Sequence, residues 1–143
     1  TPKGVISLLD YYNVNIEGKV ALVIGKSNHV GKPLCSMLMN RGATLINANS
    51  KTKDLTSLVK ISDIIISCVG KQNLINEEDI KEGAVVIDVG IHRDANNKLC
   101  GDVDFDDVAD KCSAITPVPG GVGPMTIAML MKNCVESVAL QNL

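Results

Sequence analysis

Little in this sequence is aromatic. Tyr11, Tyr12 and Phe105 are the only phenyl or phenol side chains among 143 residues, with no tryptophan, so the stacking platforms that grip single-stranded nucleic acid are missing. Positive charge is not in excess either: 14 Lys and Arg stand against 16 Asp and Glu, a formal net charge of -2. A surface that neutralises phosphates along a strand needs the opposite balance, so no nucleic-acid partner is expected. Five cysteines (Cys35, Cys68, Cys100, Cys112 and Cys134) contain no C-x-x-C pair. That excludes a disulfide framework, and with only His29 and His92 beside them it excludes zinc spacing as well. Free and mostly buried thiols are expected, Cys68 among them, in an intracellular reducing compartment, the cytoplasm before an organelle.

No apolar stretch approaches the ~18 residues of a membrane-spanning helix. The start, TPKGVISLLDYY, has no signal-peptide layout. The reading is a soluble chain with no membrane partner. An initiator methionine is also lacking, and Thr1-Pro2 has the pattern of a helix N-cap followed by proline at the first helical position. A chain opening inside a cap is expected to be a piece of something longer. Disorder is excluded by 45% hydrophobic residues and a mean hydropathy of +0.19. A chain of this length buries roughly 68 to 70% of its unfolded surface around one core.

What is present is an alternation of two periods. Val5, Leu8, Leu9 and Tyr12 fall at i, i+3, i+4 and i+7, predicting a short opening helix. Strands are expected at 20–24, 44–48, 63–69, 85–89 and 113–115. Helices are expected after the first glycine turn, with Gly42 as the stop, and at 55–61, 77–80, around Phe105 and at 124–140. Residues 92–101 are expected to be an exposed loop around Asn96 and Asn97. In the last helix Ile127, Leu130, Met131, Val135 and Val138 are expected to form the buried face. Strands alternating with helices imply right-handed crossovers and a parallel sheet, a Rossmann-like three-layer α/β fold with a mainly parallel sheet flanked by helices. No linker divides it, so 1–143 is one domain.

Three strands run straight into glycine, as VALVIG, IIISCVG and VVIDVG, ending at Gly25, Gly70 and Gly90. In a parallel sheet these ends share one edge, where ligands of open α/β sheets bind. The segment GKSNHVGKP at 25–33 joins the first strand to its helix, where a dinucleotide's pyrophosphate meets backbone N–H groups. It is an imperfect G-x-G-x-x-G, with Ser27 in the second glycine's place and Gly31 one residue late. A phosphoryl-transfer P-loop is excluded, because Pro33 follows Lys32 and five residues separate the glycines. NAD-selective domains carry an acid ~20 residues further on to hold the ribose 2′-hydroxyl. Here that stretch reads Asn47, Ala48, Asn49, Ser50, Lys51, Thr52 and Lys53. It suits a 2′-phosphate, with Lys26 able to reach the same place, or else it is a solvated basic turn.

TPVPGGVGPMT at 116–126 is stiff at its prolines and open at its glycines, a suitable backbone wall against a flat ring. GDVDFDDVAD at 101–110 fails as an EF-hand, since Asp107 and Ser113 occupy the positions for the glycine and the bidentate glutamate. An N-cap at Asp104 with acids in the first turn explains it instead. His29 and His92 lack a nucleophile with an orienting acid, and His92 reads as a surface or supporting residue.

TPKGV, GKSNHVGKP, GAVVIDVGI, GDVDF and TPVPGGVGPMT together resemble the bifunctional methylenetetrahydrofolate dehydrogenase/methenyltetrahydrofolate cyclohydrolase family. The resemblance covers nearly the whole chain and points to the cofactor-binding, carboxyl-terminal domain. It implies NADP as cofactor, with NAD as the other possibility, a tetrahydrofolate substrate, an amino-terminal domain of the same enzyme as partner, and a homodimer. It implies cofactor-binding roles for Gly25, Lys26, Ser27, Gly31, Ser50, Gly70, Gly90, Ile91, Gly123 and Thr126, and substrate-flanking roles for Pro119 and Gly120. Lys26 stands where the family has arginine, and Asn49 where it often has histidine. The family's catalytic lysine and its tyrosine partner lie in the amino-terminal domain, so no catalytic residue is assigned here and the chain by itself is expected to be inactive. A stand-alone regulatory dinucleotide-binding module and a different small Rossmann dehydrogenase are the competing readings.

Overall fold

The structure is a computed structural model that describes residues 1–142. Helix α1 (Pro2–Tyr11) precedes strand β1 (Val20–Ile24), α2 (Gly31–Asn40), β2 (Thr44–Ala48), α3 (Leu55–Ile61) and β3 (Ile64–Ser67). A 3-10 turn (Glu77–Asp79), β4 (Val85–Asp88), β5 (His92–Arg93), β6 (Leu99–Cys100), α4 (Phe105–Val108), a second 3-10 turn (Ala109–Lys111), β7 (Ala114–Ile115) and α5 (Val122–Gln141) follow. Five strands form one parallel sheet in the order β2-β1-β3-β4-β7. The expected α/β architecture is therefore present.

Period-2 alternation in the central strands divides the core in two. Ala21, Val23, Ile64, Ile66, Val85 and Ile87 face α1 and α2, where Val5, Leu9, Leu34 and Leu38 cover them. Leu22, Ile24, Ile65 and Val86 face the other way, against Val59 of α3, Ile75, Ile80 and Val108 of α4. Every residue of β3 and β4 is buried, as expected of strands covered on both faces. The strands begin in line, since Ala21 pairs with Ile64, Ile64 with Val85 and Val85 with Ala114. Their carboxyl ends consequently emerge along one edge.

Several expectations need correction. Thr1 occupies the N-cap position, but its hydroxyl makes no cap bond and instead meets the Thr126 hydroxyl at 2.9 Å, tying α1 to α5. Tyr12 is 66% exposed, so the buried stripe of α1 is Val5, Ile6 and Leu9. Residues 92–101 contain a hairpin, β5 pairing antiparallel with β6. Its turn is held by the Asp94 carboxylate, which accepts from the Asn96 and Lys98 N–H groups, with Asn97 at φ 63°. Among the cysteines, all of them free, Cys35 alone is buried, Cys134 is exposed and Cys68 is half-buried.

The largest departure is α5. Ile127, Leu130, Met131, Val135 and Val138, expected inside, are 58 to 73% exposed. The helix packs along α1 with another face: Val122 is buried, a Cβ on Gly4 would lie 3.2 Å from Met125 Cβ, Ser7 Oγ donates to Met129 Sδ at 3.4 Å, and the Lys3 ammonium reaches Asn133 and Glu136. The twenty residues of α5 run about 30 Å. Periodicity reports that a face is apolar and says nothing of what covers it.

Ile66 lies in the central strand with no exposure at all. Ile66→Ala should lower unfolding free energy by about 2 to 5 kcal/mol, the ordinary cost of a buried isoleucine cavity. Urea denaturation of the two proteins checks this, and a loss below about 1 kcal/mol would contradict the two-sided burial.

Candidate functional site

The chain leaves β1 for β2 on one side and then returns to β3 on the other side of β1. This reversal opens a crevice between the carboxyl ends of β1 and β3, the usual ligand position in such sheets. Gly25 ends β1 with φ 129° and donates its N–H to Ala48 O at 2.8 Å. A Cβ there would lie 2.6 Å from Cys68 Sγ, and one on Gly31 would overlap the Gly25 carbonyl oxygen. The turn is thus pressed against both β3 and the start of α2. Ser27 Oγ accepts from the Val30 and Gly31 N–H groups at 3.1 and 3.3 Å, closing the amino end of α2. Asn47 Nδ2 donates to Val23 O and Gly25 O at 3.0 and 2.8 Å, which fixes the end of β1 from β2.

Lys26 and Ser50 are exposed, each two residues beyond the register pair Ile24 and Ala48. Asn49 organises the turn after β2, its N–H donating to Thr52 Oγ1 and its side-chain oxygen accepting from Lys51 N. No carboxylate enters this stretch. Gly25, Lys26, Ser27, Gly31 and Ser50 are therefore brought to one corner of the carboxyl edge.

A second group gathers past β4. Gly90, Ile91, Pro119, Gly120 and Gly123 line a cleft of about 160 Å³ together with Leu99 and Val118. A Cβ on Gly120 or Gly123 would meet no atom within 4 Å, so both backbones face open space. Thr126 is not part of that wall. It sits further along α5, and its hydroxyl is engaged with Thr1 and with Val122 O at 3.3 Å. Gly70 lies between the two groups, at the end of β3, with φ 81°. A larger hollow of about 450 Å³ opens at the opposite, amino-terminal edge beside Lys19, Asp63 and Lys81. There the Lys81 ammonium is already paired with Asp63 at 2.5 Å, and none of the glycine loops reaches it.

Beneath the cleft lie two buried carboxylates that the sequence reading did not single out. Asp88 Oδ1 accepts from Gly90 N and Asp102 N at 2.8 and 3.0 Å, and its Oδ2 from Val103 N at 2.9 Å. Asp102 Oδ2 accepts from Ser67 Oγ and Val69 N at 2.7 and 3.0 Å. Its Oδ1 accepts from Gly70 N and Lys71 N at 3.1 and 3.0 Å and lies 2.8 Å from His92 Nε2. A Cβ on Gly90 would overlap the Asp102 carboxylate, and one on Gly101 the Asp88 carboxylate. Gly90 is thus required by this carboxylate as well as by any ligand. The available signals were one acid inside the apolar run VVID and a glycine directly before Asp102. Asp104, by contrast, does cap α4 as expected, accepting from Asp107 N at 3.3 Å.

Burial acts on these groups differently. For Asp102 burial pushes the carboxyl up, but His92 and the surrounding N–H and O–H donors outweigh it and hold it below the ordinary 3.8. For Asp88 burial prevails over its three N–H bonds, and the neighbouring Asp102 charge adds to it, so that carboxyl lies above 3.8. The Cys68 thiol is pushed up to about 11, by burial first and then by Asp102 and Cys35. It donates to Ile24 O at 3.1 Å and is no nucleophile at neutral pH. Ser67 donates to Asp102 rather than to His92, so these side chains form a brace and not a nucleophilic relay.

Residues 1–142 match the model of the tetrahydrofolate dehydrogenase/cyclohydrolase family's NAD(P)-binding domain. The chain is 58% identical over 135 residues to the bifunctional protein FolD of Lachnoclostridium phytofermentans, covering 94% of this chain and 48% of that protein. It superposes with a TM-score of 0.96 and 51% identity on the bifunctional FolD methylenetetrahydrofolate dehydrogenase/cyclohydrolase of Campylobacter jejuni, covering 98% of this chain and 50% of the other. The Trypanosoma brucei methylenetetrahydrofolate dehydrogenase-cyclohydrolase, solved with NADP cofactor and an inhibitor, gives a TM-score of 0.88 at 40% identity, covering 94% of this chain and 48% of the other. The chain spans about half the length of the curated relatives it matches.

The two carboxylates carry opposite pH signatures. With its folded pKa below 3.8, Asp102 contributes stability that is present above about pH 4 and lost as pH falls through the folded value. Asp88, raised above 3.8, contributes stability that is full at low pH and lost as pH rises through its folded value. Asp102→Asn should lower stability at pH 7 and lose less of what remains between about pH 5 and 3 than the parent does. Thermal melts across that range test it, and parallel acid limbs would refute the assignment.

Proposed function

Because the chain belongs to the tetrahydrofolate dehydrogenase/cyclohydrolase family, as its NAD(P)-binding domain, we propose that it holds NADP along the carboxyl edge of its sheet for the oxidation of 5,10-methylenetetrahydrofolate. The observation that carries this is the placement of both glycine-rich groups on that one edge. From β2 to β4 the edge crosses three strand intervals, about 14 Å, a span suited to a dinucleotide. Gly25, Ser27 and Gly31 would take the pyrophosphate at the start of α2, where backbone N–H groups and the helix dipole favour an anion. Lys26 and Ser50 would take the adenosine 2′-phosphate, because these two exposed donors stand just past the ends of β1 and β2 and residues 47–53 contain no competing acid. The cleft of Gly90, Ile91 and Gly123 would receive the nicotinamide, with Gly70 between the two halves and Thr126 holding the start of α5 in place.

When bound, NADP supplies a hydride acceptor. The chain's own contribution is to position and to exclude water. The open backbones of Gly120 and Gly123 allow a flat ring to approach, and Pro119 stiffens the wall facing the folate. None of the groups around the cleft is placed as a proton-transfer partner for the folate. We assign that role to the amino-terminal domain, in keeping with relatives about twice this length. The uncovered apolar face of α5 supports the same partner, since a packed domain would bury it. A second copy of the chain, as a homodimer, completes the set of partners in this reading.

A charge-assisted hydrogen bond is worth about 1.5 to 3 kcal/mol, roughly 10- to 150-fold in affinity. NADP should bind more tightly than NAD by that order, and Lys26→Ala should erase most of the difference. Calorimetric titration with both cofactors decides it, and equal affinities in the parent would count against the 2′-phosphate site. Turnover is the second check. Positioning of donor against acceptor contributes roughly 7 to 11 kcal/mol to such a reaction, so the chain alone, given NADP and 5,10-methylenetetrahydrofolate, should show no measurable rise in NADPH absorbance. Turnover on the order of 10 per second would place a catalytic group within these residues.

A further inference from the structure

The turn after β3 has the form of an anion nest, in which successive backbone N–H groups converge on one point. Val69, Gly70 and Lys71 all donate to Asp102 at 3.0 to 3.1 Å. Nests of this kind ordinarily receive a phosphate or another external anion. Here the chain fills it with its own side chain, and Asp102 has no exposed surface. The filling group is itself fastened, because the N–H groups of Asp102 and Val103 donate to Asp88 at the end of β4. From the other side His92 Nε2 closes on the same carboxylate at 2.8 Å, and His92 directly follows Ile91 of the cleft. A Cβ on Gly70 would lie 3.7 Å from the His92 ring, so the turn and the base of β5 abut.

We propose that Asp102 is a positioning residue for the nicotinamide half of the cofactor: by filling the nest at 69–71 and holding His92, it fixes Gly70 at the end of β3 relative to Ile91 in the cleft past β4. The inference rests on the NADP reading above. It also divides the cofactor site mechanically. Lys26 and Ser50 hang from β1 and β2 through Asn47, Asn49 and Ser27, and none of those bonds passes through Asp102. Loss of the carboxylate therefore releases one half of the site and leaves the other where it was. The side chain is isolated from water, so nothing replaces it when it is removed.

Asp102→Asn conserves the shape but sets an amide N–H₂ against converging donors. Two ligands are titrated calorimetrically into the parent and the variant: NADP, and adenosine 2′,5′-bisphosphate, which carries the adenosine half alone. The expected result is a loss of about 10- to 100-fold in NADP affinity, with adenosine bisphosphate affinity changed less than about twofold. A general loosening would weaken both ligands alike, and that outcome, or no change in either, overturns the proposal. If Asp102→Asn does not fold, His92→Phe decides in its place, since it retains a ring and removes only the bond to Asp102. It should weaken NADP several-fold and spare the bisphosphate, and unchanged NADP affinity overturns the proposal. A parent that binds neither ligand would instead refute the cofactor reading itself, and this inference with it.

Discussion

Burial on both faces of β1, β3 and β4 is the constraint from which the remaining architecture follows. A strand with apolar side chains on each side has no solvent to satisfy its backbone, so its N–H and C=O groups must pair with parallel neighbours along its length. Helices must then lie above and below, which α1 and α2 do on one face and α3 and α4 on the other. Polar chemistry is confined to the places where this order ends. In this chain that is the carboxyl edge, where three glycines follow the strands and where the connection from β2 to β3 reverses direction.

That edge presents a problem which the two buried carboxylates solve. Strands β3 and β4 end deep within the protein, and the turns that follow them carry N–H groups with no strand partner. Asp102 takes those of 69–71 and Asp88 takes those of Gly90, Asp102 and Val103. Segment 101–103 thereby acts as a crosspiece between the two strand ends. Space for the carboxylates exists because Gly90 and Gly101 carry no side chain. Electrostatically the arrangement is asymmetric: against its burial, bonds from His92, Val69, Ser67 and Gly70 hold Asp102 low, while Asp88 is held high by burial first and then by its acidic neighbour. The burial is tolerable because backbone donors surround both groups.

The last helix shows a different relation between pattern and packing. Its first turn belongs to this core, with Val122 buried and Thr126 joined to Thr1. Beyond that point Leu130, Met131, Val135 and Val138 line a long exposed apolar face, larger in character than the scattered apolar residues of an ordinary surface. The curated relatives that the chain matches are about twice as long, and a companion domain of the kind proposed above would bury this face.

Element types and most boundaries were legible from the sequence because they depend on local periodicity and on where glycine and proline interrupt it. Strands β1 and β2 and helix α3 fall where the pattern put them, and the same pattern put the glycine turn that starts at Gly25 on the carboxyl edge of the sheet. The opening and closing motifs, with the resemblance they carry, led to the family. Three things required the tertiary structure. Residues 92–101 pair as a hairpin because of a turn closed by Asp94, whose side chain acts across the loop. Asp102 and Asp88 gained their positions because segments 67–71, 88–90 and 101–103 converge on one edge, and the pairing of Asp102 with residues more than thirty positions away is not specified by the local signals, an acid within VVID and a glycine before Asp102. The apolar face of α5 was visible as a pattern, but burial is a property of whatever lies opposite a surface, and only the tertiary structure shows that nothing among the described residues covers it.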